Sequence, residues 1–381
     1  MNFELDEEQL LLKDTIREFA EKEISPLVRE YEKKGEYPRE ILKKLSDLGI
    51  MGMEIPSEYG GNELSKLSEV IIIEELARIC PSTAVIVCVH NSVFCYPILK
   101  FGNEKQKKKY LPLAAKGEII GGLCLTEPQA GSDAANQKTR AIKKGDFYIL
   151  NGTKSWITNA TIAQALIIIA VTDPGKGHKG ISAFIVDTST PGLRISKIES
   201  KMGLKSSQTA EIILEDCEVP AENLLGEEGM GIKIALNSLD GSRIGIAAQS
   251  VGLAQRALEE AVKYSKQRYA FNKQLSEFQA IQFMIADMAT MLEGARLLTY
   301  KAADLKDRGK SYTKEASMAK LYASEVANKI VYQALQIHGA YGYSEEFIIE
   351  KLYRDARVLT IYEGTSEIQR IIIARNLFKE N

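Results

Sequence analysis

Residues 165–186 read ALIIIAV, TDPGKGHKG and ISAFIV, two apolar runs separated by a cluster of turn residues. Short runs rich in Ile and Val that are bounded by Gly and Pro predict β-strands at Ala165–Val171 and Ile181–Val186. Turns such as Asn151-Gly152 and Thr190-Pro191-Gly192 recur about every ten residues around them, which predicts a compact antiparallel barrel or sandwich.

The residues before this region have a helical pattern. Asp6 is a predicted N-cap, and apolar residues follow at three- and four-residue steps until Ser25-Pro26, which should end the first helix. A second helix should begin at Pro38 and end at Gly49. Its predicted inward residues are Ile41, Leu42, Leu45 and Leu48, and two more helices are predicted near 66–79 and 82–101.

The helical period returns after Gly231. Long periodic stretches at 231–265, 276–306, 313–339 and 363–377 suit a bundle of antiparallel helices. The predicted fold is therefore α+β and multi-domain. It consists of an N-terminal α-helical domain (1–120), a central antiparallel β-domain (121–230) and a C-terminal four-helix bundle (231–381).

The composition is that of an ordinary soluble globular protein and argues against several classes. A formal net charge of −2 provides no overall basic field for nucleic acid or an anionic membrane surface. No apolar run approaches the ~18 residues that span a bilayer. The acidic segment Met1–Glu8 resembles neither a secretory signal nor a transit peptide, so we expect the cytoplasm, or the mitochondrial matrix if a leader was removed.

Cysteine and histidine usage argues against a metal site. The five cysteines lack paired spacing and the three histidines lie far apart, so we expect reduced, mostly buried thiols and no bound metal. The chain also has no strand-GxGxxG-helix fingerprint and no P-loop signature, so neither nucleotide-binding fold is indicated.

Three short stretches could carry chemistry, and each also has a plain structural interpretation. Tyr362-Glu-Gly-Thr-Ser-Glu367 is either a helix cap or a loop in which Gly364 admits another molecule and Glu363 projects as a base. Leu125-Thr-Glu-Pro-Gln-Ala-Gly-Ser-Asp133 either offers hydroxyls and backbone N–H groups to a cofactor or forms ordinary turns. Trp156-Ile-Thr-Asn159 holds the only tryptophan, which either contacts a cofactor or fills the core.

Taken together, the motifs of this chain resemble those of the acyl-CoA dehydrogenase family, most of all its short-chain (butyryl-CoA) branch, from about residue 3 to 378. The resemblance rests on Ile55-Pro-Ser-Glu-Tyr-Gly-Gly61, Leu125–Asp133, Asn151-Gly-Thr-Lys154, Trp156–Asn159, Gly180-Ile-Ser-Ala-Phe184, Arg268-Tyr-Ala-Phe271, Tyr353-Arg-Asp-Ala356 and Ile361-Tyr-Glu-Gly-Thr365. Each motif alone is weak, whereas the whole series in order and spacing is specific.

The resemblance implies FAD held between the β-domain and the bundle, with a neighbouring subunit of a homotetramer completing each site. The matching residues for the flavin ring and its surroundings are Leu123, Leu125, Thr126, Gly131, Ser132, Trp156, Ile157 and Thr158. Thr365 and Glu367 match contacts to the adenosine or phosphate half. Arg268, Gln279, Gln336, Ile337 and Gly339 match positions of the neighbouring subunit, and Phe271 is a further predicted cofactor contact.

The same resemblance implies the reaction. Glu363 would remove the α-proton of an acyl-CoA thioester while the β-hydride passes to flavin N5, and an electron-transfer flavoprotein would take the electrons onward. The thioester carbonyl would accept hydrogen bonds from the Glu363 backbone N–H and a ribityl hydroxyl. Some relatives carry the base at the position of Ser242, which cannot serve. Ser132, Asp240, Ser242, Arg243 and Gly364 match substrate-binding positions.

The acyl group is the most open part of the prediction. Val85 and Val89 match the helix that closes the acyl pocket in relatives, and with Phe94 and Tyr96 close by in sequence they predict a short cavity. A branched or alicyclic acyl group of similar size is an alternative.

Other activities on the same fold fit the sequence less well. An acyl-CoA oxidase should be much longer, and a non-redox DNA-binding flavoprotein should carry a basic C-terminal extension. A glutaryl-CoA dehydrogenase needs an Arg in the acyl pocket, and the helix predicted at 85–97 supplies none. Departures from the family pattern at Lys205, Asn272 and Ala340 concern cofactor affinity and leave the acid–base chemistry intact.

Overall fold

The computed structural model describes residues 4–379, in which a helical region, a β-sheet region and a second helical region follow one another. The predicted acidic N-terminus and the end of the chain fall in part on residues 1–3 and 380–381, which lie outside the described residues. The first region contains α1 (Glu7–Phe19), α2 (Val28–Lys34), α3 (Arg39–Asp47), α4 (Lys66–Ile79), α5 (Pro81–Val89), α6 (Tyr96–Phe101) and α7 (Glu104–Ala115).

Helix α1 begins as its sequence predicts. The Asp6 carboxylate accepts a hydrogen bond from the Gln9 backbone N–H at 2.8 Å, and Gln9 Oε1 accepts one from the Asp6 N–H at 3.1 Å. The prediction that Ser25-Pro26 ends the helical path is wrong. A π-helical turn (Ala20–Ile24) and a 3₁₀ turn (Ser25–Leu27) lead directly into α2, because a proline in the first turn needs no N–H partner.

Helix α3 follows Pro38 and is succeeded by Gly49, which has a left-handed backbone with φ 74°. Three of its four predicted inward residues are buried: Ile41, Leu42 and Leu45. The prediction for Leu48 is wrong, because this residue lies at the C-cap beyond the last full turn and its surface is 44% exposed.

The two further N-terminal helices are confirmed, and the second is the most apolar of the chain. Helices α5 and α6 are joined by a π-helical turn (His90–Cys95) into one helical stretch, Pro81–Phe101. By length and composition this stretch could cross a membrane, yet 78% of its most apolar window is buried inside the protein. The sequence prediction did not flag it because His90, Asn91 and Ser92 interrupt the apolar run.

The central region is a single eight-stranded sheet. Its strands are β1 (Gly121–Cys124), β2 (Arg140–Lys144), β3 (Phe147–Thr158), β4 (Ala165–Val171), β5 (Ile181–Asp187), β6 (Leu193–Ile198), β7 (Thr209–Pro220) and β8 (Leu224–Leu225). Strand β4 has the predicted bounds. The order is β6-β7-β3-β2-β4-β5-β8, and most neighbours are antiparallel as predicted, whereas β1 and β2 each pair with β4 in parallel.

The last region is the helical bundle. It contains α8 (Gly231–Gln267), a short hairpin of β9 (Tyr269–Ala270) and β10 (Lys273–Gln274), α9 (Gln279–Asp307), α10 (Thr313–His338), α11 (Ile348–Ala356) and α12 (Ser366–Leu377). Helix α10 packs against α8, α9 and α12, and α8 also packs against α4 and α5 of the first region. Helix α11 was not predicted. All five cysteines are free and buried, as expected.

A buried ion pair ties the Leu125–Asp133 loop to strand β3. Lys154 Nζ lies 2.7 Å from Glu127 Oε1, and both side chains are almost fully buried. The Glu127 carboxylate also accepts the backbone N–H groups of Lys138 at 2.6 Å and Thr139 at 3.0 Å. Burial alone would raise the pKa of Glu127, but the Lys154 ammonium and these hydrogen bonds lower it to about 2.

We predict that Lys154→Met destabilises the protein by about 3–5 kcal/mol, because it leaves the Glu127 carboxylate buried without its counter-charge. Urea unfolding at neutral pH measures the loss, and the double change Glu127→Gln with Lys154→Met should recover part of it. The pKa of Glu127 is about 2 in the folded protein and about 4.3 in the unfolded chain. The contribution of Glu127 to the free energy of unfolding is therefore present above pH ~4.3 and disappears as the pH falls towards 2. A Lys154→Met protein as stable as the parent would contradict the prediction.

Candidate active site

The turn at Glu363 and Gly364 connects α11 and its following 3₁₀ turn to α12. Both residues have left-handed backbones, with φ 54° at Glu363 and φ 93° at Gly364. The next residue, Thr365, is the N-cap of α12, and its hydroxyl accepts the Ile368 N–H at 3.3 Å. The capping interpretation is confirmed, because Thr365 caps α12. Glu363 stands outside the cap in a backbone conformation that non-glycine residues rarely adopt, and its role as a base stays a prediction.

The backbone carbonyls of this turn are held by side chains from three helices. Arg243 Nε of α8 lies 3.4 Å from the Glu363 oxygen, and Gln369 Nε2 of α12 lies 3.2 Å from the same oxygen. The Gly364 oxygen accepts Gln369 Nε2 at 2.9 Å and Lys320 Nζ of α10 at 2.7 Å. Three buried side chains therefore hold the turn.

The Glu363 side chain is half-buried, and its Oε2 atom is buried without a hydrogen-bond partner among the described residues. Burial raises the pKa of the Glu363 carboxyl, while the charges of Arg243 and Lys320 oppose that rise. A carboxylate with a free oxygen and a raised pKa is suited to accept a proton.

The predicted substrate residues of α8 lie beside this carboxylate. Arg243 Nη1 forms an ion pair with Asp240 Oδ1 at 2.5 Å, and the other Asp240 oxygen accepts the Thr313 hydroxyl at 2.7 Å. The Ser242 hydroxyl is buried and, within residues 4–379, has no hydrogen-bond partner. The structure thus brings Asp240, Ser242 and Arg243 to the Glu363 turn, whereas Ser132 lies exposed on the β-domain loop.

The residues predicted to line the acyl pocket lie on α5, which packs against α8. Val85 and Val89 are both buried, and the Cys88 thiol lies against Gly245, where a Cβ atom would be only 2.4 Å from Cys88 Sγ. The Phe94 ring packs instead against Gly121 of β1. Tyr96 is half-buried, with its hydroxyl 3.4 Å from Asn237 Oδ1.

The β-domain residues predicted to contact a flavin form a loop beside a strand bulge. Strand pairing between β3 and β7 shifts register between Lys154 and Ile157, and within this bulge Trp156 has φ 60° and 58% exposure. Ser155 N–H donates to the Thr126 carbonyl at 2.9 Å, which places Trp156 next to the loop. The remaining predicted residues here are Leu123, Leu125 and Thr158, half-buried, Ile157, buried, and Gly131, exposed.

The bulge fits a planar aromatic cofactor. A large, exposed indole held in a strained backbone beside the Thr126 loop offers an apolar surface and nearby polar groups to such a ring. At the start of α12, Thr365 is half-buried and Glu367 is exposed.

The residues predicted to serve a neighbouring subunit lie on the outer surface of the bundle. Phe271 is 91% exposed with φ 52°. The Arg268 guanidinium lies 5.7 Å from the centre of the Tyr341 ring, which joins the end of α8 to the turn after α10. Gln279, Gln336 and Gly339 are also exposed, whereas the Ile337 side chain is buried. Asn272 has the left-handed backbone, φ 64°, that the usual glycine would adopt there.

Sequence reasoning missed Lys320, Gln369 and Gln249. The Tyr362 hydroxyl donates to Gln249 Oε1, and Gln249 Nε2 donates to the Pro81 carbonyl at 2.8 Å, which links the turn to α8 and α5. The available signal for Lys320 was its place on a helix face otherwise made of small residues, including Ala316, Ala319 and Ala323.

Known proteins share this architecture along the whole chain. Residues 6–118, 122–217 and 229–378 match family models described as the N-terminal, middle and C-terminal domains of acyl-CoA dehydrogenase. The chain is 50% identical over 376 residues to "Short-chain specific acyl-CoA dehydrogenase, mitochondrial" of Rattus norvegicus, covering 99% of this chain and 91% of the relative.

Solved structures are similarly close. Butyryl-CoA dehydrogenase from Megasphaera elsdenii has a TM-score of 0.97 at 45% identity, covering 99% of this chain and 100% of that one. A chain in a structure of the electron transferring flavoprotein of Acidaminococcus fermentans has a TM-score of 0.98 at 48% identity and covers 100% of both chains.

Proposed function

Since this chain belongs to the acyl-CoA dehydrogenase family, as its motifs predicted, we propose that it oxidises a short-chain acyl-CoA thioester to the trans-2-enoyl-CoA with FAD as cofactor. The family makes the protein an oxidoreductase acting on acyl-CoA. The observation that carries the proposed mechanism is the Glu363 carboxylate, with one buried oxygen that has no partner among the described residues.

The reaction removes one proton from C2 of the acyl group and one hydride from C3, and it forms a double bond between them. FAD, when bound, supplies the two-electron acceptor that this oxidation requires. Glu363 Oε2 accepts the C2 proton, which the raised pKa of this carboxyl favours. The backbone N–H of Glu363 is proposed to donate to the thioester carbonyl and so stabilise enolate charge.

The cofactor would be held by the β-domain residues around Trp156 and by the exposed residues on the outer surface of the bundle. The substrate would be held by residues of α8. Thr126 and Trp156 would border the flavin ring, and their setting in a strained bulge beside a polar loop supports this role. The Asp240–Arg243 pair, fixed by Thr313, would orient the CoA portion near Glu363.

We further propose a homotetramer that passes electrons to an electron-transfer flavoprotein. The assembly is supported by large apolar side chains exposed on the C-terminal region, among them Phe271, Tyr343 and Phe378. The acceptor is supported by the similarity to a chain from a structure of an electron transferring flavoprotein.

We predict that Glu363→Gln keeps bound FAD and still binds butyryl-CoA, yet loses turnover by several orders of magnitude. The amide preserves the shape of the side chain but cannot accept a proton, and general-base catalysis is worth roughly 10²–10⁴ in rate. Steady-state turnover, with a dye that accepts electrons from the reduced flavin, measures the loss of activity. Calorimetric titration with butyryl-CoA measures substrate binding separately. Retention of more than about a tenth of the rate would place the base elsewhere.

We predict that the purified protein is yellow and binds one FAD per subunit, and that Arg268→Ala weakens FAD binding. Arg268 is exposed in the single subunit, and a guanidinium suits the pyrophosphate of a neighbouring subunit's cofactor. Lys266→Ala removes a similarly exposed cation two residues earlier and should leave affinity unchanged. A fully flavinylated monomer in size exclusion with light scattering would contradict the assembly.

We predict the highest kcat/KM for acyl groups of about four to six carbons and very poor use of palmitoyl-CoA, because each added methylene must displace packed side chains at ~1–3 kcal/mol. Val89→Ala should move the optimum to longer chains. Val87→Ala removes the same atoms from the other face of α5, where the side chain is also buried, and should leave the optimum in place. An optimum at about twelve carbons or more in the parent enzyme would show that this face does not limit chain length.

A further inference from the structure

Lys320 is a buried lysine whose position needs a physical reason. Its side chain is fully buried, on a face of α10 otherwise lined by Ala316, Ala319 and Ala323. Lysine is rarely buried without a counter-charge, since desolvating an ammonium is costly. Within residues 4–379, no carboxylate forms an ion pair with Lys320, and its Nζ donates to the Gly364 carbonyl at 2.7 Å.

We propose that Lys320 is a positioning residue for the reaction, whose hydrogen bond fixes the Glu363 turn and whose charge keeps the Glu363 carboxylate ready to accept a proton. This inference rests on the proposed function, in which Glu363 is the base. Lys320 is not itself placed against substrate or cofactor, so it acts through Glu363.

The first part of the argument is backbone geometry. Two consecutive left-handed residues aim the Glu363 side chain, and at a non-glycine residue such a conformation costs of order 1–3 kcal/mol unless neighbouring groups impose it. Lys320 and Gln369 donate hydrogen bonds to the Gly364 carbonyl. Gln369 and Arg243 donate to the Glu363 carbonyl. A Cβ at Gly364 would lie 2.7 Å from Gln369 Nε2, so the side chain that holds this turn leaves no room for a larger residue there.

The second part is charge. Arg243 is already neutralised by Asp240 at 2.5 Å, which leaves Lys320 as a buried cation without its own carboxylate partner among the described residues. Burial and the nearby charge of Arg243 together lower the pKa of Lys320 to about 7, against the opposing effect of the Glu363 charge. Lys320 and Glu363 therefore each favour the charged form of the other, across the turn whose Gly364 carbonyl accepts the Lys320 hydrogen bond.

The charged and titratable groups around this pair come from every packed element. They are Asp240 and Arg243 on α8, Glu325 on α10, Glu367 on α12, Cys88 on α5 and Tyr362 in the turn. Removing the Lys320 charge leaves the burial of Glu363 less opposed, so its carboxylate should become protonated at a higher pH. Because the reaction needs the ionised Glu363 carboxylate, the fall in activity on the acidic side of the pH profile should move to higher pH.

Three substitutions separate the hydrogen bond from the charge. Lys320→Met removes both, Lys320→Gln retains a donor for the Gly364 carbonyl without the charge, and Lys320→Arg retains both. Lys351→Met is the matched control, because Lys351 is equally buried but pairs with Asp355 in a different cluster. The readouts are the pH dependence of kcat/KM with butyryl-CoA, kcat and KM separately, and exchange of the C2 hydrogens into D₂O followed by mass spectrometry.

For Lys320→Met we expect kcat at neutral pH to fall about tenfold or more with little change in KM, slower C2 exchange, and an acidic limb moved upward by about one pH unit. Lys320→Gln should shift the acidic side of the pH profile by the same amount, with a smaller loss of kcat. Lys320→Arg should leave the acidic side of the profile where it is in the parent enzyme. Lys351→Met should lower thermal stability and leave the limb unchanged.

A Lys320→Met enzyme with the parent's acidic limb and nearly the parent's kcat would overturn the inference, as would one that merely loses stability as the Lys351 control does. Folding is checked by circular dichroism and FAD content, and Lys320→Gln decides the question if the Met variant does not fold. An active Glu363→Gln enzyme would refute the proposed base itself. An inactive one combined with unshifted Lys320 variants would refute only the role of Lys320.

Discussion

In the proposed reaction the Glu363 carboxylate has to be buried and yet able to ionise, and the packing of the helical bundle around it bears on both conditions. Burial raises the pKa of this carboxyl, and the cations of α8 and α10 limit the rise. Neither cation can reach the turn unless α8, α10 and α12 meet closely. Small residues permit that approach, because α10 presents a face of alanines. Gly245 and Gly252 likewise let α8 pack closely on α5 and α4 of the N-terminal region. Helix packing and acid–base chemistry are therefore parts of one constraint.

The β-domain meets a related constraint in another way. Its predicted cofactor loop is organised around Glu127, whose carboxylate is satisfied by Lys154 and by two backbone N–H groups. This carboxyl has a lowered pKa and leaves its oxygens fully used, so it is suited to structure. Glu363 has a raised pKa and one buried oxygen without a hydrogen-bond partner in residues 4–379, so it is suited to reaction. The two environments assign opposite roles to the same functional group.

Local sequence was sufficient wherever local physics decided the outcome. Strand β4 was predicted with its bounds because a β-branched run lay between turns, and the Asp6 cap because its side chain acts within four residues. Leu48 was wrong because periodicity continues on paper beyond the point where the helix ends, and Pro26 because a proline can begin a turn as well as end one. The family resemblance predicted a site at Glu363 and the α8 residues, and the structure brings these residues together. Lys320 was missed, since it meets Gly364 across 44 residues of chain and no local pattern records that contact.

The central claim is that Glu363 removes the C2 proton in the step that oxidises the acyl group. Its most direct test is single-turnover reduction of the bound flavin, followed anaerobically by absorbance, with butyryl-CoA carrying hydrogen, deuterium at C2 or deuterium at C3. The account predicts that butyryl-CoA reduces the flavin and that deuterium at either carbon slows this reduction. Full-rate reduction with the C2-deuterated substrate, or no reduction by any of the three, would contradict it.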